Sequence, residues 1–485
     1  MVRCKSFGQI PMQALYLAID QGGHASRVLA FDATGRQHAA AFREIATRQP
    51  AAERVEHDPE DVVTSIRQAL DQVLNELGPR AGALQAAGLA TQRSSIVCWD
   101  RHSGKALSAV ISWADRRAAD RIRQLDAGQR QRIRRLTGLF PNPHYGASKL
   151  RWCLDHLPAV ATAAAEGRLA MGPLSSFLLF RLLRERPLLV DPANGSRTLL
   201  MARAENTWSQ ELLATFGLQA AWLPRPVASR FAFGHLVTTR GELPLHVCTG
   251  DQSAALFADG LPAPAEARLN AGSGAFVQTP LPANAANCDP RLLQSTVYHD
   301  DTLHLEILEG TINGAGTALR WWQQQHPRQR LEQHLEHWLD DIHTPPLFLN
   351  GIGGVGSPFW RTDLAPQFMG EGGPAAQAVA VVESIVFLIQ ANLDAMRQCV
   401  PLHRLIVTGG LAASTGFCRR LASCSGLEVW RSQQGEATAR GLAWLLAGRP
   451  DNWPGEPRHR VPPAPASQAA LRQRYQRWLE LMQEN

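Results

Sequence analysis

Residues 14–32 read ALYLAIDQGGHASRVLAFD. An apolar run ends in Asp20, a glycine-bearing turn follows, and a second apolar run leads to Asp32. Two such runs joined by a short Gly turn predict a β-hairpin. An Asp at the tip of a buried strand needs a reason, because an unpaired buried carboxylate is costly. A metal ion or a phosphate-bound water would give one. Backbone N–H groups in a Gly turn can point at phosphate oxygens with no Cβ in the way. The hairpin is therefore a candidate nucleotide-phosphate clamp, unlike the strand–loop–helix of a Walker site.

Working outward, β-like runs stand at 14–20, 26–32 and 37–43, followed by a helical pattern over 58–77 with Asp58 as N-cap and Pro59 in its first turn. An apolar strand follows from Leu84 to Ala90. This order predicts an α/β sheet of mixed direction. Residues 116–137, 147–165 and 172–184 have helical patterns, and 222–245, with Pro224, Pro226 and Pro244, is expected to be loop. The opening pattern then recurs. Residues 266–278, EARLNAGSGAFVQ, are again strand, Gly turn and strand. Further β runs at 293–299 and 302–308 precede a helical run from Asn313 to Gln325. A strand at 405–410 ends in Gly409 and Gly410, and helices at 415–424 and 436–447 flank a strand at 427–430. The repetition predicts two similar α/β domains facing each other across a cleft. The expected division is a short extension at 1–13, an N-terminal domain at 14–249, a C-terminal domain at 250–450, and a Pro-rich linker with a surface-packed amphipathic helix over 451–485.

A chain of 485 residues, 45% apolar and 19% charged, fits a well-packed globule of two or more domains. The formal charge is +6, but the cations are scattered arginines without interleaved aromatics, so no nucleic-acid partner is expected. The excess can assist the approach of a phosphate-bearing ligand. The eight cysteines form no CxxC and no zinc spacing, so they are expected to be reduced, mostly buried thiols of a cytoplasmic protein. Neither a signal peptide nor a membrane span is expected.

Gly-containing turns recur at strand ends: Asp20 to Gly23, Gly250-Asp251-Gln252, Gly272-Ser273-Gly274 and Gly409-Gly410. Around them lie GLATQRSSIVCWDRHSGK, ISWADRRAAD, GASKLRW, DPANGSRTLL, TGDQSAALFADG, EGTINGAGTALRWW, NGIGGVGSPFW and GEATARGLA. This ordered set, spanning residues 14–447, resembles the FGGY family of carbohydrate kinases, and within it the glycerol kinase branch. The resemblance implies the two-domain hexokinase–actin–Hsp70 ATPase fold, with duplicated ribonuclease H-like domains. It also implies ATP-dependent phosphorylation of a hydroxyl on a small sugar or polyol, such as a glycerol-like polyol or a ketopentose like xylulose. Asp251 matches the catalytic base. A loose phosphoryl-transfer transition state needs alignment and charge stabilisation, and a carboxylate in reach of the acceptor hydroxyl orients it and takes its proton.

On the same resemblance Asp20, with Asp251, places Mg²⁺ through water. Gly22, Gly23, Arg27, Gly272, Ser273, Gly274, Gly314, Gly316, Gly409, Gly410 and Ser414 line ATP. Arg93, Ser94, Trp113, His144, Asp251, Gln252 and Phe276 face the acceptor. The chain departs from the family at Ser94, where glycerol kinases carry Glu, and at His144, where they carry Tyr. It departs again at Gly23, where a Thr hydroxyl is usual, with Ser26 or His24 as candidate substitutes. Thr408 and Ser414 replace the usual Asp and Asn. A serine cannot accept two strong hydrogen bonds from adjacent hydroxyls as a carboxylate does. A homodimer or homotetramer is the implied assembly. A second class stays open, a degenerate kinase that binds nucleotide or sugar as a sensor with little turnover.

Overall fold

The computed structural model describes residues 14–484 except 284, 286, 287, 433–435, 456 and 464–467. The extension expected at 1–13 lies outside the described residues. The chain forms two compact units. Unit 1 comprises residues up to 261 with 295–305 and 436–455, and unit 2 comprises 262–294, 306–435 and 456–485. A single boundary near 250 therefore does not describe the packing, because the helix Ala437–Leu446 belongs to unit 1. Its Leu442 lies directly over Gly88 of a central strand.

The main sheet of unit 1 has the order Arg230–Thr238, Gly241–Gly250, Leu84–Thr91, Leu15–Gln21, Ala25–Asp32, Gln37–Glu44. Leu15–Gln21 and Gly241–Gly250 both run parallel to Leu84–Thr91, whereas the Ala25–Asp32 and Gln37–Glu44 pairings are antiparallel. Leu15–Gln21 is buried along its whole length, as an unbroken apolar run covered on both faces should be. On the sheet lies the helix Pro59–Leu77, whose buried stripe includes Val62, Ile66, Leu70, Val73 and Leu77. Asp58 caps it by accepting from the Glu60 N–H at 2.9 Å.

Unit 2 repeats the plan. Its seven-stranded sheet has Leu293–His299 at one edge and then runs His304–Ile312, Ala275–Pro280, Glu266–Ala271, Arg404–Thr408, Glu428–Ser432, Arg458–Val461. After that edge strand the first three are antiparallel neighbours, and Arg404–Thr408 and Glu428–Ser432 run parallel to Glu266–Ala271. Three antiparallel strands, with two further strands parallel to the first of them, thus occur in each unit. The duplication expected from the two Gly hairpins is present, as two mixed α/β sheets of the same plan.

Several expected elements differ. The helix over 116–137 is two, Ala119–Arg123 and Ala127–Thr137, because Asp126 and Gln129 form a capping box that starts the second. The helix over 147–165 breaks into Gly146–His156 and Pro158–Ala165, since Pro158 offers no N–H to the preceding turn. The start of 172–184 belongs to a strand, Leu169–Pro173, paired with Ile96–Asp100. The loop expected at 222–245 is largely the hairpin Arg230–Thr238/Gly241–Gly250. Pro244 is tolerated because pairing with Leu84–Thr91 begins only at Leu245. The Pro-rich linker contains the strand Arg458–Val461. The last helix, Gln468–Glu484, does not merely rest on the surface. Trp478 is fully buried and donates to the Phe348 carbonyl at 2.9 Å, and Tyr475 donates to Asp394 at 2.8 Å.

Among the described residues one helix, Pro374–Met396, is long and apolar enough to cross a membrane, but it is the core helix of unit 2, with 94% of its most apolar window buried. The cysteine expectation needs a correction. Cys288 and Cys399, 111 residues apart, form a disulfide with Cα atoms 5.1 Å apart, a pairing that only the fold brings together. Cys98, Cys153, Cys248, Cys418 and Cys424 are free and buried, and burial pushes the thiols of Cys418 and Cys424 up to about 11 and about 12. Cys4 lies outside the described residues.

Candidate active site

Three adjacent parallel strands of unit 1 end side by side. Gln21 and Gly250 are both in register with Thr91. Asp20 therefore sits at the end of the first strand, Arg93 and Ser94 just beyond the second, and Asp251 and Gln252 just beyond the third. Ligands of open α/β sheets bind outside such carboxyl ends. Sheet register thus brings together residues 230 positions apart in the chain.

The two carboxylates set the electrostatics. Asp20 is 4% exposed. Burial, followed by the charge of Asp251, pushes its carboxyl up to about 7, against the pull of Arg27. Arg27 lies 3.6 Å from Asp20 and 3.8 Å from Glu436. Burial also raises the Asp251 carboxyl, opposed by Arg93 and Arg197. Asp251 opens the short helix Asp251–Ala255, where its carboxylate accepts from the Gln252 N–H at 2.7 Å. Its carbonyl accepts from the Thr438 hydroxyl at 3.2 Å. A Cβ at Gly250 would fall 2.5 Å from the stem of Arg93, so that glycine lets Arg93 lie against the base of Asp251.

Trp113 and His144 come from separate loops and meet with ring centroids 5.6 Å apart. Tyr145 packs edge-on against His144 at 5.1 Å and is itself buried, so His144 is the ring beside Trp113. Burial, followed by the charges of Lys149, Arg116, Arg197 and Arg93, holds the His144 imidazole well below its ordinary value, hence neutral. Ser94 adopts φ 66°, a left-handed conformation unusual for serine, and its buried hydroxyl has no hydrogen-bond partner in the protein.

The first Gly turn is joined to Trp113 by residues the sequence did not single out. The Gln92 side chain donates to the Gly22 carbonyl at 3.2 Å, Ser95 donates to Gln92 at 3.0 Å, and the Trp113 N–H donates to Ser95 at 3.0 Å. Lys149 is fully buried and binds three loop carbonyls, and Glu436 reaches Arg27. Lys149 and Glu436 lie in the GASKLRW and GEATARGLA stretches, whose order was the available signal. Of the candidate substitutes for a hydroxyl at 23, Ser26 is fully buried and shares a 2.8 Å hydrogen bond with Ser65. It is committed to the helix Pro59–Leu77. His24 is exposed.

Unit 2 gathers its own glycines. Gly272–Gly274 form the turn between Glu266–Ala271 and Ala275–Pro280. The Gly316 and Thr317 N–H groups donate to the Gly272 and Ser273 carbonyls at 2.9 and 3.0 Å, holding the start of the helix Gly316–Gln325 on that turn. Gly314 lies just before this helix start. Arg320 donates to the Ser273 hydroxyl at 3.1 Å, a partner the sequence did not suggest. Gly409, at φ 87°, follows Arg404–Thr408, where a Cβ would meet the Ala271 carbonyl at 2.6 Å. Gly410 begins a short 3₁₀ turn, and Ser414 caps the next helix by accepting from the Phe417 N–H at 3.1 Å. Phe276 lies on Ala275–Pro280, opposite Asn270 and Thr311.

Residues 15–258 match the profile of the FGGY family of carbohydrate kinases, N-terminal domain, and residues 267–448 match that of its C-terminal domain. The chain is 31% identical over 457 residues to a glycerol kinase of Agrobacterium fabrum, covering 91% of each. It is 32% identical over 451 residues to one of Xanthobacter autotrophicus, covering 90% of each. The fold is shared with Plasmodium falciparum glycerol kinase with ADP, at TM-score 0.85 and 20% identity over 97% of this chain and 98% of that one. It is also shared with a xylulose kinase from Rhodospirillum rubrum, at TM-score 0.84 and 18% identity over 96% and 98%.

Proposed function

Because the chain belongs to the FGGY family of carbohydrate kinases, and so transfers the γ-phosphoryl group of ATP to a hydroxyl of a sugar or polyol, we propose that Asp251 is its base and that Arg93, Ser94, Trp113, His144 and Gln252 bind the acceptor. The observation that carries this reading is the meeting of Asp251, Arg93 and Ser94 at neighbouring strand ends, with Asp251 close enough to Asp20 to raise its carboxyl. Asp251 takes the acceptor proton as the new O–P bond forms and the bond to the β-phosphate breaks, releasing ADP. Phe276 is assigned to the acceptor on the resemblance. Gly22, Gly23 and Arg27 of unit 1, and Gly272, Ser273, Gly274, Gly314, Gly316, Gly409, Gly410 and Ser414 of unit 2, are assigned to ATP. The N-terminal part of the chain then carries the acceptor and the C-terminal part most of the nucleotide contacts.

Asp20 and Asp251 fit a Mg²⁺ ion. They are mutually repelling, mostly desolvated oxygen donors, and Mg²⁺ is held by one or two carboxylates while keeping several waters. When bound, the ion supplies charge neutralisation to the transferring phosphates. A cytoplasmic location and a homodimeric or homotetrameric assembly belong to the same proposal.

The acceptor class is a polyol or ketopentose other than glycerol. Ser94 leaves a buried hydroxyl free to pair with an acceptor hydroxyl, and it cannot supply the doubly accepting carboxylate that glycerol would meet. A screen of ATP consumption over glycerol, xylulose, ribulose and erythritol tests this. Turnover is expected with one of the larger acceptors, with a glycerol KM about 30-fold higher, from a loss of roughly 2 kcal/mol in hydrogen bonding. Glycerol as the best acceptor would overturn the substrate class.

Gly23 gives a separate prediction. A Cβ there would sit 3.7 Å from Trp113 Nε1 and 3.8 Å from Gln92 Oε1, ordinary contact distances. Gly23→Thr is therefore expected to fold normally and, by restoring a phosphate-facing hydroxyl, to raise kcat/KM for ATP by about 3- to 10-fold. Steady-state kinetics at varied ATP would show it, and an unchanged or lower value would assign phosphate binding at this turn to the backbone alone.

A further inference from the structure

Lys149 is fully buried. Its ammonium donates to the carbonyls of Ser94 and Ser112, each at 2.9 Å, and of His144 at 2.8 Å. Three N–H donors meet three acceptors, so the group is satisfied without a carboxylate contact. The three carbonyls come from three separate loops. Two belong to the acceptor-facing residues Ser94 and His144, and the third immediately precedes Trp113. Around the ammonium, Asp115 is turned to Arg117 and the Val55 N–H, while Arg116 donates to the Trp113 and Asp115 carbonyls.

Two features argue against a merely stabilising lysine. A desolvated ammonium is costly to bury, and this one is directed at carbonyls of the three loops that carry the acceptor-facing residues. Burial, opposed by the charge of Asp115, lowers its value to about 7. Ser94 also holds a left-handed backbone conformation, strained for a residue with a Cβ. Strain of this kind persists where the surroundings enforce it and clusters at ligand sites. Lys149 donates to the carbonyl of this residue.

We propose that Lys149 is a positioning residue for acceptor recognition: its ammonium ties together the loops carrying Ser94, Trp113 and His144 and so sets which hydroxyl pattern the site accepts. The inference rests on the acceptor-site assignment above. It makes Lys149 responsible for geometry, with no direct part in proton or phosphoryl transfer. Displacements below an ångström in substrate-positioning groups are large on the scale of kinase specificity.

Steady-state kinetics of Lys149→Met, Lys149→Gln and Trp113→Ala, with acceptor and ATP varied separately, test the assignment. Lys149→Met is expected to raise the acceptor KM about 10-fold or more, to leave the ATP KM within about twofold, and to cut discrimination between the best acceptor and its epimer about 10-fold. Lys149→Gln should fall between the Met variant and the native enzyme. Native acceptor KM and native discrimination in folded Lys149→Met would overturn the proposal, as would a parallel rise in the ATP KM. Lys149→Gln carries the same criteria if the Met variant does not fold. Failure of both to fold would overturn it in favour of a purely structural lysine. If Trp113→Ala leaves the acceptor KM unchanged, the acceptor-site reading itself fails, whatever Lys149 does.

Discussion

Asp251→Asn is expected to lower kcat by about 10³-fold or more with little change in the KM for ATP, because an amide cannot take the acceptor proton and general-base loss costs typically 10²–10⁴. The fold should be retained. The Asp251 carboxylate accepts one hydrogen bond, from its neighbour's N–H, and an amide oxygen can accept the same bond. The substitution has a second, electrostatic signature. The charge of Asp251 is a named cause of the raised carboxyl of Asp20, so in the variant the Asp20 carboxyl falls toward the ordinary carboxylate range. Isotope-edited infrared or carbon NMR titration of the aspartates would follow it. A variant that turns over within about tenfold of the native rate would remove Asp251 from the reaction.

Asp20→Asn is expected to separate stability from activity. Folded Asp20 holds its proton up to about 7, while in the unfolded chain it ionises near pH ~4. Between those values the folded state binds more protons than the unfolded one, so the metal-free protein loses stability as pH rises through that window. The asparagine variant has no such ionisation. At pH 8 without Mg²⁺ its Tm should exceed that of the native protein, while at pH ~4 the two should agree. Turnover should fall by about 10²-fold or more, and the stabilisation that Mg-ATP gives native protein should shrink toward that of ATP alone. Thermal melts across pH with and without Mg²⁺ decide this. A native protein whose metal-free Tm rises from pH 5 to 8 through this group would contradict the sign.

Much of the candidate site could be put forward from the sequence alone. Asp20, Asp251 and the glycine turns stand at strand ends, and strand ends are marked locally by an apolar run meeting Gly or Asp. The twofold recurrence of the hairpin made the duplicated fold legible as well. The residues that were missed lack such a local mark. Gln92, Ser95 and Lys149 act through hydrogen bonds to loops far along the chain, and Arg320 through the turn at Ser273. Elements were missed for similar reasons. Asp126 reads as one more polar residue in a helical pattern until its cap with Gln129 is seen. Pro244 argues for loop unless the pairing beginning at Leu245 is known.

The sequence by itself determined the α/β plan and its duplication, and through its ordered motifs the family and its phosphoryl-transfer chemistry, because these depend on residue type and short-range pattern; Asp20 and Asp251 were put forward from it as candidates. Tertiary structure alone decided that Asp20 and Asp251 stand close enough to perturb each other, and that Ser26 turns away from the phosphate turn to Ser65. It also decided that Cys288 meets Cys399 and that one buried ammonium binds three loops. Each of these is a matter of distance and desolvation between groups remote in the chain, and the energy of a charge or hydrogen bond depends on both.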